Sequence, residues 1–287
     1  MLGWTGEHVR HAAEMVRQGR NPAARVYESI GSEFFLAPAP GWLNLGLWDG
    51  DGAGSEDQAE TACRRLVATL ASALPAGGVI VDAGNGLGVQ DRLIAELVRP
   101  RRLVAVNITE WQLAAGRRRL AAAGAVPVVG DAARLPLADG AADGIISVEA
   151  AFHFSSRRAF FEHCYRVLRP GGVMTMSDVA VQRWPRGPLE LLSGLTQLRV
   201  FGLRQSAAMT AGQIATAAAD AGLAQVKVTL CGYRVIAPAL RLAAARLSGF
   251  PAAPAGQRAA ARALLRQVEL LWRRCIIDYI LLRAIRP

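Results

Sequence analysis

Short apolar runs alternate with amphipathic segments through the middle of the chain. Apolar runs of a few residues have the length of buried strands, and apolar positions that recur every three or four residues indicate helices. Helices are predicted over 57–74, 89–98, 110–123, 156–168 and 210–222, and the apolar runs are GVIVDAG, LVAVNIT, VPVVGDA, DGIISVEAAF and GGVMTMSDV. This alternation predicts an α/β fold with a doubly wound, mostly parallel sheet that has helices on both faces.

The two ends of the chain break the alternation. A further helix is predicted over 5–18, and the tail contains a strand (AQVKVTLCGYRVIAP), helices over 237–247 and 257–274, and a final strand (IDYILLRAIRP). Such a last strand often enters the sheet antiparallel at or near its edge. The sheet then has seven strands. The predicted organisation is an N-terminal helical lid (1–60), a core with a glycine-rich loop (61–180), an inserted lid (181–209) and the C-terminal part of the core with a helical insertion (210–287).

The composition is that of a globular protein. Of the 287 residues, 52% are hydrophobic and 20% are charged, which suffices for a full core. No run of about 18 uncharged apolar residues occurs, and the N-terminus has no apolar signal-peptide core, so we expect a cytoplasmic protein without a membrane span. Cys63, Cys164, Cys231 and Cys275 form no CxxC pair, which predicts core residues and no metal site.

The formal net charge of +10 raises the question of nucleic-acid binding. Lys227 is the only lysine, and the arginines are spread along the chain, most densely at 99–102 and 117–119. A phosphate-binding face usually has a dedicated element or interleaved aromatic residues, and neither is evident here. We therefore expect no nucleic-acid partner.

The glycine-rich loop follows the first predicted strand, in VIVDAGNGLG. Gly84, Gly86 and Gly88 allow a sharp turn, a close approach to a ligand and tight packing on the next helix. The spacing is Gly-x-Gly-x-Gly, whereas dinucleotide-binding loops carry G-x-G-x-x-G, so no pyrophosphate is strongly implied. A glycine-rich turn that serves only packing is the alternative.

Several segments around this loop occur in the order found in one enzyme family. VIVDAGNGLG resembles the first motif of class I S-adenosylmethionine (SAM)-dependent methyltransferases, and GDAARLPLADGAADGIISVEAAFHF and FFEHCYRVLRPGGVMTMSDV resemble their later motifs. GWLNLGLWDGD is similar to a segment of the small-molecule branch, and VNITEWQLAAGRRR is similar to enzymes that methylate sugar hydroxyls of macrolides and related natural products. The resemblance is close over roughly residues 75–180 and implies SAM as cofactor, with S-adenosylhomocysteine as product.

The resemblance also implies a set of cofactor contacts. The three glycines of the loop would lie at the methionine part of SAM, with Asp82 near its ammonium group. Asn107 stands where most class I enzymes have an acidic residue that binds both ribose hydroxyls, and Gln112 could supply a second hydrogen bond. The other implied contacts are the lid residues Tyr27, Asn44 and Trp48, the adenine-site residues Asp131 and Ala132, and Glu149. Hydrophobic packing is the alternative for the two lid aromatics.

Methyl transfer to an alcohol needs a group that removes the proton, and histidine is the commonest such group. His153 follows Glu149 just past the fourth strand, whereas the other three histidines lie on predicted helices. Asp178 ends the fifth strand. Similar sugar O-methyltransferases carry a His and an Asp at these places, which implies His153 as general base and Asp178 as the group that orients it or bonds the substrate. A structural histidine and a capping aspartate are the alternatives.

Residues 181–209 interrupt the alternation where this family places its acceptor lid. An apolar wall of Trp184, Leu191, Leu195, Leu198 and Phe201 predicts a hydrophobic small-molecule acceptor, such as a polyketide, a terpenoid or a glycosylated aglycone. A helix that buries an ordinary core face is the alternative. The helices at 237–274 either enlarge this lid or form a homodimer contact. C- or N-methylation, or a cyclisation in which SAM is only structural, are the competing reactions.

Overall fold

The computed structural model describes residues 38–50, 53–200, 208–248 and 255–287. The predicted helix over 5–18 and the predicted contacts of Tyr27 and Phe201 lie outside the described residues. Among the helices within these ranges, none combines the length and the apolar character that crossing a membrane requires.

A seven-stranded sheet organises the fold, with strand order β3-β2-β1-β4-β5-β7-β6. The strands are β1 (Val79–Ala83), β2 (Arg102–Asn107), β3 (Ala125–Val129), β4 (Ala142–Val148), β5 (Leu168–Val181), β6 (Ala224–Leu230) and β7 (Ile277–Ile285). The first five pair in parallel, and β7 lies between β5 and β6, antiparallel to both. The predicted class, strand number and antiparallel last strand near the edge are therefore confirmed.

Helices cover both faces of this sheet. They are α1 (Ala59–Ala71), α2 (Val89–Val98), α3 (Glu110–Ala122), α4 (Arg157–Val167), α5 (Pro188–Val200), α6 (Ala211–Asp220), α7 (Gly232–Ser248) and α8 (Ala255–Arg273). Successive side chains of a strand point to opposite faces, so Ile80 of β1 packs in the core with α1, α2, α3 and α7, whereas Val81 packs with α4 and α6. Helix α8 packs on α5 and α7.

One predicted boundary was wrong, at the start of α7. The apolar segment after β6 was assigned to the strand as far as Pro238, but β6 ends at Leu230 and the helix begins at Gly232. Proline inside a helix removes the N–H that would bond the carbonyl four residues earlier. Here that carbonyl, on Arg234, accepts a hydrogen bond from the Trp48 N–H at 2.8 Å instead. This hydrogen bond from Trp48 satisfies the carbonyl that Pro238 leaves without a partner inside the helix.

The parallel register places the ends of four strands at one edge of the sheet. Ala83, Asn107 and Val148 are the last residues of β1, β2 and β4. Their loops therefore converge beyond this carboxyl edge, where open α/β sheets bind ligands. Most of the sequence-predicted site residues that the structure describes lie on these loops, at the strand ends or on residues 38–50 beside them. Asp82 lies inside β1, Gln112 on the first turn of α3 and Asp178 inside β5.

Candidate functional site

A cleft opens at the carboxyl edge of the sheet, and we call it the glycine-loop cleft. Its lining includes Gly84, Gly86, Asn107, Gln112, Asp131 and Glu149. The loops after β1, β2, β3 and β4 each contribute, and Trp42 and Leu43 close the cleft from the segment before α1. Of the sequence-predicted cofactor residues, Ala132 also lines it.

Two of the three loop glycines shape this cleft. Gly84 has a φ of +83°, and a Cβ placed on it would lie 2.4 Å from Ala150 Cβ. Gly86 has a φ of +60°, and a Cβ there would lie 2.9 Å from Leu43 Cδ1. Gly88 does not line the cleft; it begins α2, and its nearest neighbours are on Leu120. The third glycine packs against α3, and its predicted contact with the cofactor stays a prediction.

Asn107 is held by hydrogen bonds on both sides of its amide. Its Nδ2 donates to Gln112 Oε1 at 2.9 Å and to Asn85 Oδ1 at 3.3 Å, while its Oδ1 accepts from the Thr109 N–H at 2.9 Å. A carboxylate at this position would have no N–H to donate to the two amide oxygens. Asn107 therefore fits its surroundings, and one lone pair of Oδ1 remains for a hydroxyl in the cleft.

Two buried carboxylates lie behind the glycine loop. Both oxygens of Asp82 accept from Gln90 Nε2, at 2.7 and 3.0 Å, and Asp91 Oδ2 accepts from Asn85 Nδ2 at 3.1 Å. Burial raises the pKa of Asp82, with a further increase from the charge of Asp91, and burial raises the pKa of Asp91 to about 7. Gln90 lines the cleft and Asp82 lies behind it; the predicted place of Asp82 near the ammonium group of SAM stays a prediction.

The loop after β3 forms the opposite end of the cleft. Asp131 Oδ1 accepts from the Ala133 N–H at 2.9 Å, and Oδ2 accepts from Ser155 Oγ at 3.1 Å. Asp131 and Ala132 both line the cleft, as the prediction of an adenine site requires. Their contact with adenine stays a prediction.

Asn44 and Trp48 do not line the cleft. Trp48 is fully buried in the hydrophobic core, and its Nε1 donates to the Leu45 carbonyl at 2.8 Å. Asn44 is buried and bonds the Gly46 N–H at 3.0 Å. Trp42 and Leu43 of the same segment line the cleft, and the predicted lid contacts of Asn44 and Trp48 stay predictions.

A second, apolar cavity of about 480 Å³ adjoins the cleft, and we call it the apolar cavity. Its walls include Leu195 and Leu198 of α5, Ile236 and Leu240 of α7, Leu271 of α8, and Phe152. Trp184 and Leu191 also line it, which agrees with the predicted apolar wall. Helices α7 and α8 contribute to this wall, and the choice between a lid and a dimer contact stays a prediction. Leu43, Glu149 and His153 line both the cleft and the cavity, and we call this meeting point the junction.

Glu149 is anchored at the junction by two donors to the same oxygen. Its Oε1 accepts from the Leu45 N–H and from the Tyr279 hydroxyl, each at 2.7 Å, and Oε2 forms no hydrogen bond within the described chain. The Glu149 N–H donates to Ser177 Oγ at 3.1 Å, and its φ of +50° lies in the left-handed region that a side chain disfavours. Burial raises the pKa of Glu149 to about 7.

His153 lies in a short 3-10 turn at residues 151–153. Its ring contacts Phe152 with 4.2 Å between ring centroids. Burial, with a smaller contribution from the positive charge of Arg157, lowers the pKa of His153 to about 3. The imidazole is therefore neutral at physiological pH and resists protonation.

Asp178 does not contact His153 in this structure. Its carboxylate accepts from Arg157, Nε to Oδ2 at 2.7 Å and Nη2 to Oδ1 at 3.1 Å, and from the Val179 N–H at 2.7 Å. Both charged side chains are almost completely buried, and Asp178 lines neither the cleft nor the cavity. The prediction that Asp178 orients His153 is corrected: the pair ties the first turn of α4 to β5.

Sequence reasoning missed Tyr279, Gln90 and Arg157. Tyr279 lies 130 residues from Glu149 and reaches it only because β7 inserts beside β5. Gln90, by contrast, follows the glycine loop by two positions, so its place on the first turn of α2 was available as a signal. Arg157 follows the Ser156 N-cap of α4, where a cation is usually unfavourable, and this mismatch was also a signal.

Comparison with known proteins decides the family of this domain. A family model for the methyltransferase domain matches residues 81–176. Erythromycin 3''-O-methyltransferase of Saccharopolyspora erythraea is 29% identical over 161 residues, which cover 55% of this chain and 52% of that protein. The chain carries a class I SAM-dependent methyltransferase domain. It spans about half the length of this curated relative, and the cofactor of the family is SAM.

Solved structures show the same fold. Geranyl diphosphate C-methyltransferase from Streptomyces coelicolor A3(2) has a TM-score of 0.72 and 15% identity, covering 94% of this chain and 99% of that one. The (4+2)-cyclase SpnF has a TM-score of 0.66 and 20% identity, covering 99% and 97%. At identities this low, the similarity establishes the fold of the domain. The reaction has to be inferred from the residues of the site.

The cleft of the methyltransferase domain fits SAM. Added Cβ atoms at Gly84 and Gly86 would collide with Ala150 and Leu43, so the loop is shaped by close packing that only glycine permits. Amide and carboxylate groups line the cleft at three separate loops, which suits a ligand with an amino acid, a ribose and a base.

Proposed function

We propose that this chain transfers the methyl group of SAM to a hydroxyl of a hydrophobic natural-product intermediate. The observation that carries the proposal is the junction, where Leu43, Glu149 and His153 line both the cleft and the apolar cavity. Bound in the cleft, SAM supplies an electrophilic methyl group on a positively charged sulfur. An acceptor seated in the cavity presents its hydroxyl at the junction, and this positioning is itself a large part of catalysis.

The cofactor is held by residues from several loops. Gln90 faces the amino acid part, and its amide is held from behind by the Asp82 carboxyl. Asn107 Oδ1 and the Gln112 amide bond the ribose, and the loop at Asp131 holds the adenine. Each of these side chains already has a fixed hydrogen-bond partner, so little side-chain entropy is lost when the ligand enters.

The proton of the acceptor hydroxyl goes to Glu149 in this proposal. A general base works best when its pKa lies near the working pH, and that of Glu149 is about 7. Its Oε1 is held by Leu45 and Tyr279, which leaves Oε2 for the hydroxyl. His153 was the base predicted from the sequence, but a pKa of about 3 makes protonated imidazole too acidic, and a nearby positive sulfur disfavours it further.

Two matched amide variants separate these bases. Glu149→Gln and His153→Gln keep side-chain size and remove the capacity to accept a proton at physiological pH. We expect Glu149→Gln to lower kcat about 10²- to 10⁴-fold and His153→Gln to lower it much less. The reverse order would make His153 the base, and small losses in both would indicate transfer to an atom that needs no deprotonation, as in N-methylation.

Calorimetric titration with SAM and S-adenosylhomocysteine tests the proposal at its first step. Stoichiometric binding, or cofactor that copurifies and is found by mass spectrometry, supports the proposed cleft. Turnover of a bound acceptor is then followed by mass: a gain of one methyl group supports transfer, and a rearranged product of unchanged mass would support cyclisation instead. Absence of both bound and copurified cofactor would contradict the proposal.

A further inference from the structure

Among the described residues, the ionisable side chains that line the apolar cavity come from one stretch of the chain. They are Glu149, His153 and Arg157, and all three follow β4. The charge of Arg157 is matched by Asp178, with which it forms the buried two-bond pair. The walls from α7 and α8 are apolar. As far as the structure describes its lining, the cavity therefore has its charged side chains near the junction and mostly apolar walls elsewhere.

Helix α5 has polar residues at its buried positions and leucines on the side that lines the cavity. Its buried positions are polar, at Glu190, Ser193 and Gln197, whereas Leu191 and Leu195 are 52% and 40% exposed and line the cavity. A helix of a globular protein normally turns its leucines to the core. Gln197 also lines the cavity, but its Nε2 is used by the Leu264 carbonyl at 3.3 Å and by a side-chain oxygen of α8. An apolar ligand would cover these leucines.

We propose that the acceptor is an uncharged molecule that is apolar over most of its surface and carries its reacting group at one end, seated at the junction. This inference rests on the proposed function and names the substrate class of the same site. Among the described residues, the walls away from the junction offer a phosphate or a carboxylate no cation, and they offer a second cluster of hydroxyls little beyond the Gln197 amide. Each buried polar group left unpaired weakens binding about 5- to 150-fold.

Glycosylated and phosphorylated acceptors do not fit this cavity. A glycosylated aglycone places several hydroxyls together, and among the described residues the polar side chains at the junction are Glu149 and His153. A diphosphate would need cations, yet within the described ranges the one cationic side chain on the cavity is Arg157, whose charge Asp178 already matches. The simple terpenoid or polyketide alcohol is the class that remains.

One ten-carbon chain in three forms provides the test. Geraniol, geranyl β-glucoside and geranyl diphosphate share their hydrocarbon and differ in the group at one end. Their binding is measured by calorimetry on the full chain saturated with S-adenosylhomocysteine. We expect geraniol to bind at least about 10-fold more tightly than either polar form. Equal affinities, or tighter binding of the glucoside or the diphosphate, would overturn the inference.

Two leucines of α5 provide a matched pair of variants. Leu195 lines the cavity, whereas Leu192 is 61% exposed on the same helix and does not line it. We expect Leu195→Asp to reduce geraniol affinity at least about 10-fold and Leu192→Asp to leave it unchanged. Thermal melting checks the fold, and if Leu195→Asp fails to fold, Leu195→Trp fills the cavity without adding charge. Equal loss in the Leu195 and Leu192 variants would place geraniol outside the cavity and overturn the inference.

Different results would contradict the proposed methyl transfer and the proposed acceptor class. Failure of SAM and S-adenosylhomocysteine to bind would remove the proposed function, and geraniol binding to the cofactor-free chain would still test the cavity. Methyl transfer to a charged or glycosylated acceptor, with weaker binding of the uncharged alcohol, would leave the proposed function intact and overturn the inference alone.

Discussion

Glu149→Gln should change the pH dependence of stability in a defined direction. In the unfolded chain the Glu149 carboxyl has its ordinary pKa of 4.5, and burial in the folded chain raises it to about 7. Between these two values the folded protein keeps a proton that the unfolded chain releases. The contribution of this residue to stability is therefore full below pH 4.5, falls as the pH rises, and is lost above about 7.

The size of the effect follows from the two pKa values. Each pH unit between 4.5 and about 7 corresponds to about 1.4 kcal/mol, so the ionised carboxylate costs the folded state about 3 kcal/mol at pH 8 relative to pH 4. The glutamine of the variant cannot ionise, and its side-chain oxygen can still accept from Leu45 and Tyr279. We therefore expect the free energy of unfolding of Glu149→Gln, minus that of the wild type, to rise by about 3 kcal/mol across this range.

Urea denaturation followed by circular dichroism at pH values from 4 to 8 measures this difference. The buried Asp82 and Asp91 are present in both proteins, so their own titration cancels. Glu190→Gln is the control, because hydrogen bonding with Arg183 lowers the pKa of Glu190 to about 2, and both of its pKa values then lie below the window. Its difference from the wild type should be flat from pH 5 to 8. A flat difference for Glu149→Gln as well would refute the raised pKa and the choice of Glu149 as base.

Three further variants test the site. Tyr279→Phe removes the hydrogen bond that lowers the pKa of Glu149, so the acid limb of kcat/KM against pH should move to higher pH; an unmoved limb would show that this carboxyl does not control the reaction. Asp178→Asn removes the carboxylate charge from the buried pair with Arg157 and should cost about 3–5 kcal/mol in urea denaturation with SAM affinity retained, whereas full stability would point back to catalysis. Gly86→Val should abolish SAM binding in calorimetry. Its control is Gly77→Val, since Gly77 also has a positive φ but no atom within 4 Å of an added Cβ, and this variant should bind SAM normally. Equal SAM affinities of the two variants would contradict the placement of SAM in the glycine-loop cleft.

The sheet could be predicted from the sequence because each of its elements carries a local signal. The helix predicted over 89–98 was found at Val89–Val98, between a glycine in the left-handed region at its start and Arg99 in the same region at its end. Apolar runs of strand length flanked by such helices leave few topologies open. The predicted boundary at Gly232 was wrong because the sequence there is an apolar run that ends in proline. Such a run fits a strand, and it also fits a helix in which another part of the chain bonds the carbonyl that the proline leaves unpaired.

The site was predictable only to the level of loops. The motif placed the segment 42–48 beside the glycine loop, but whether Trp42 or Trp48 faces the cleft depends on one backbone path that neither residue type determines. Asp178 was assigned to His153 because similar sugar O-methyltransferases carry an Asp and a His at the ends of these neighbouring strands. In the structure the Asp178 carboxylate pairs with Arg157 instead. A buried charge without a partner costs several kcal/mol, whereas a neutral imidazole needs no countercharge.

The protonation states at the junction come from contacts distant in sequence. Glu149 owes its anchoring to Leu45, which precedes the sheet, and to Tyr279, which arrives with the last strand. These two donors tend to lower the pKa of Glu149, and burial outweighs them. A motif records residue types and spacing, whereas this balance depends on where the two ends of the chain meet. The choice between a histidine and a carboxylate as base therefore required the folded structure, even though both residues stand four positions apart in one segment of sequence.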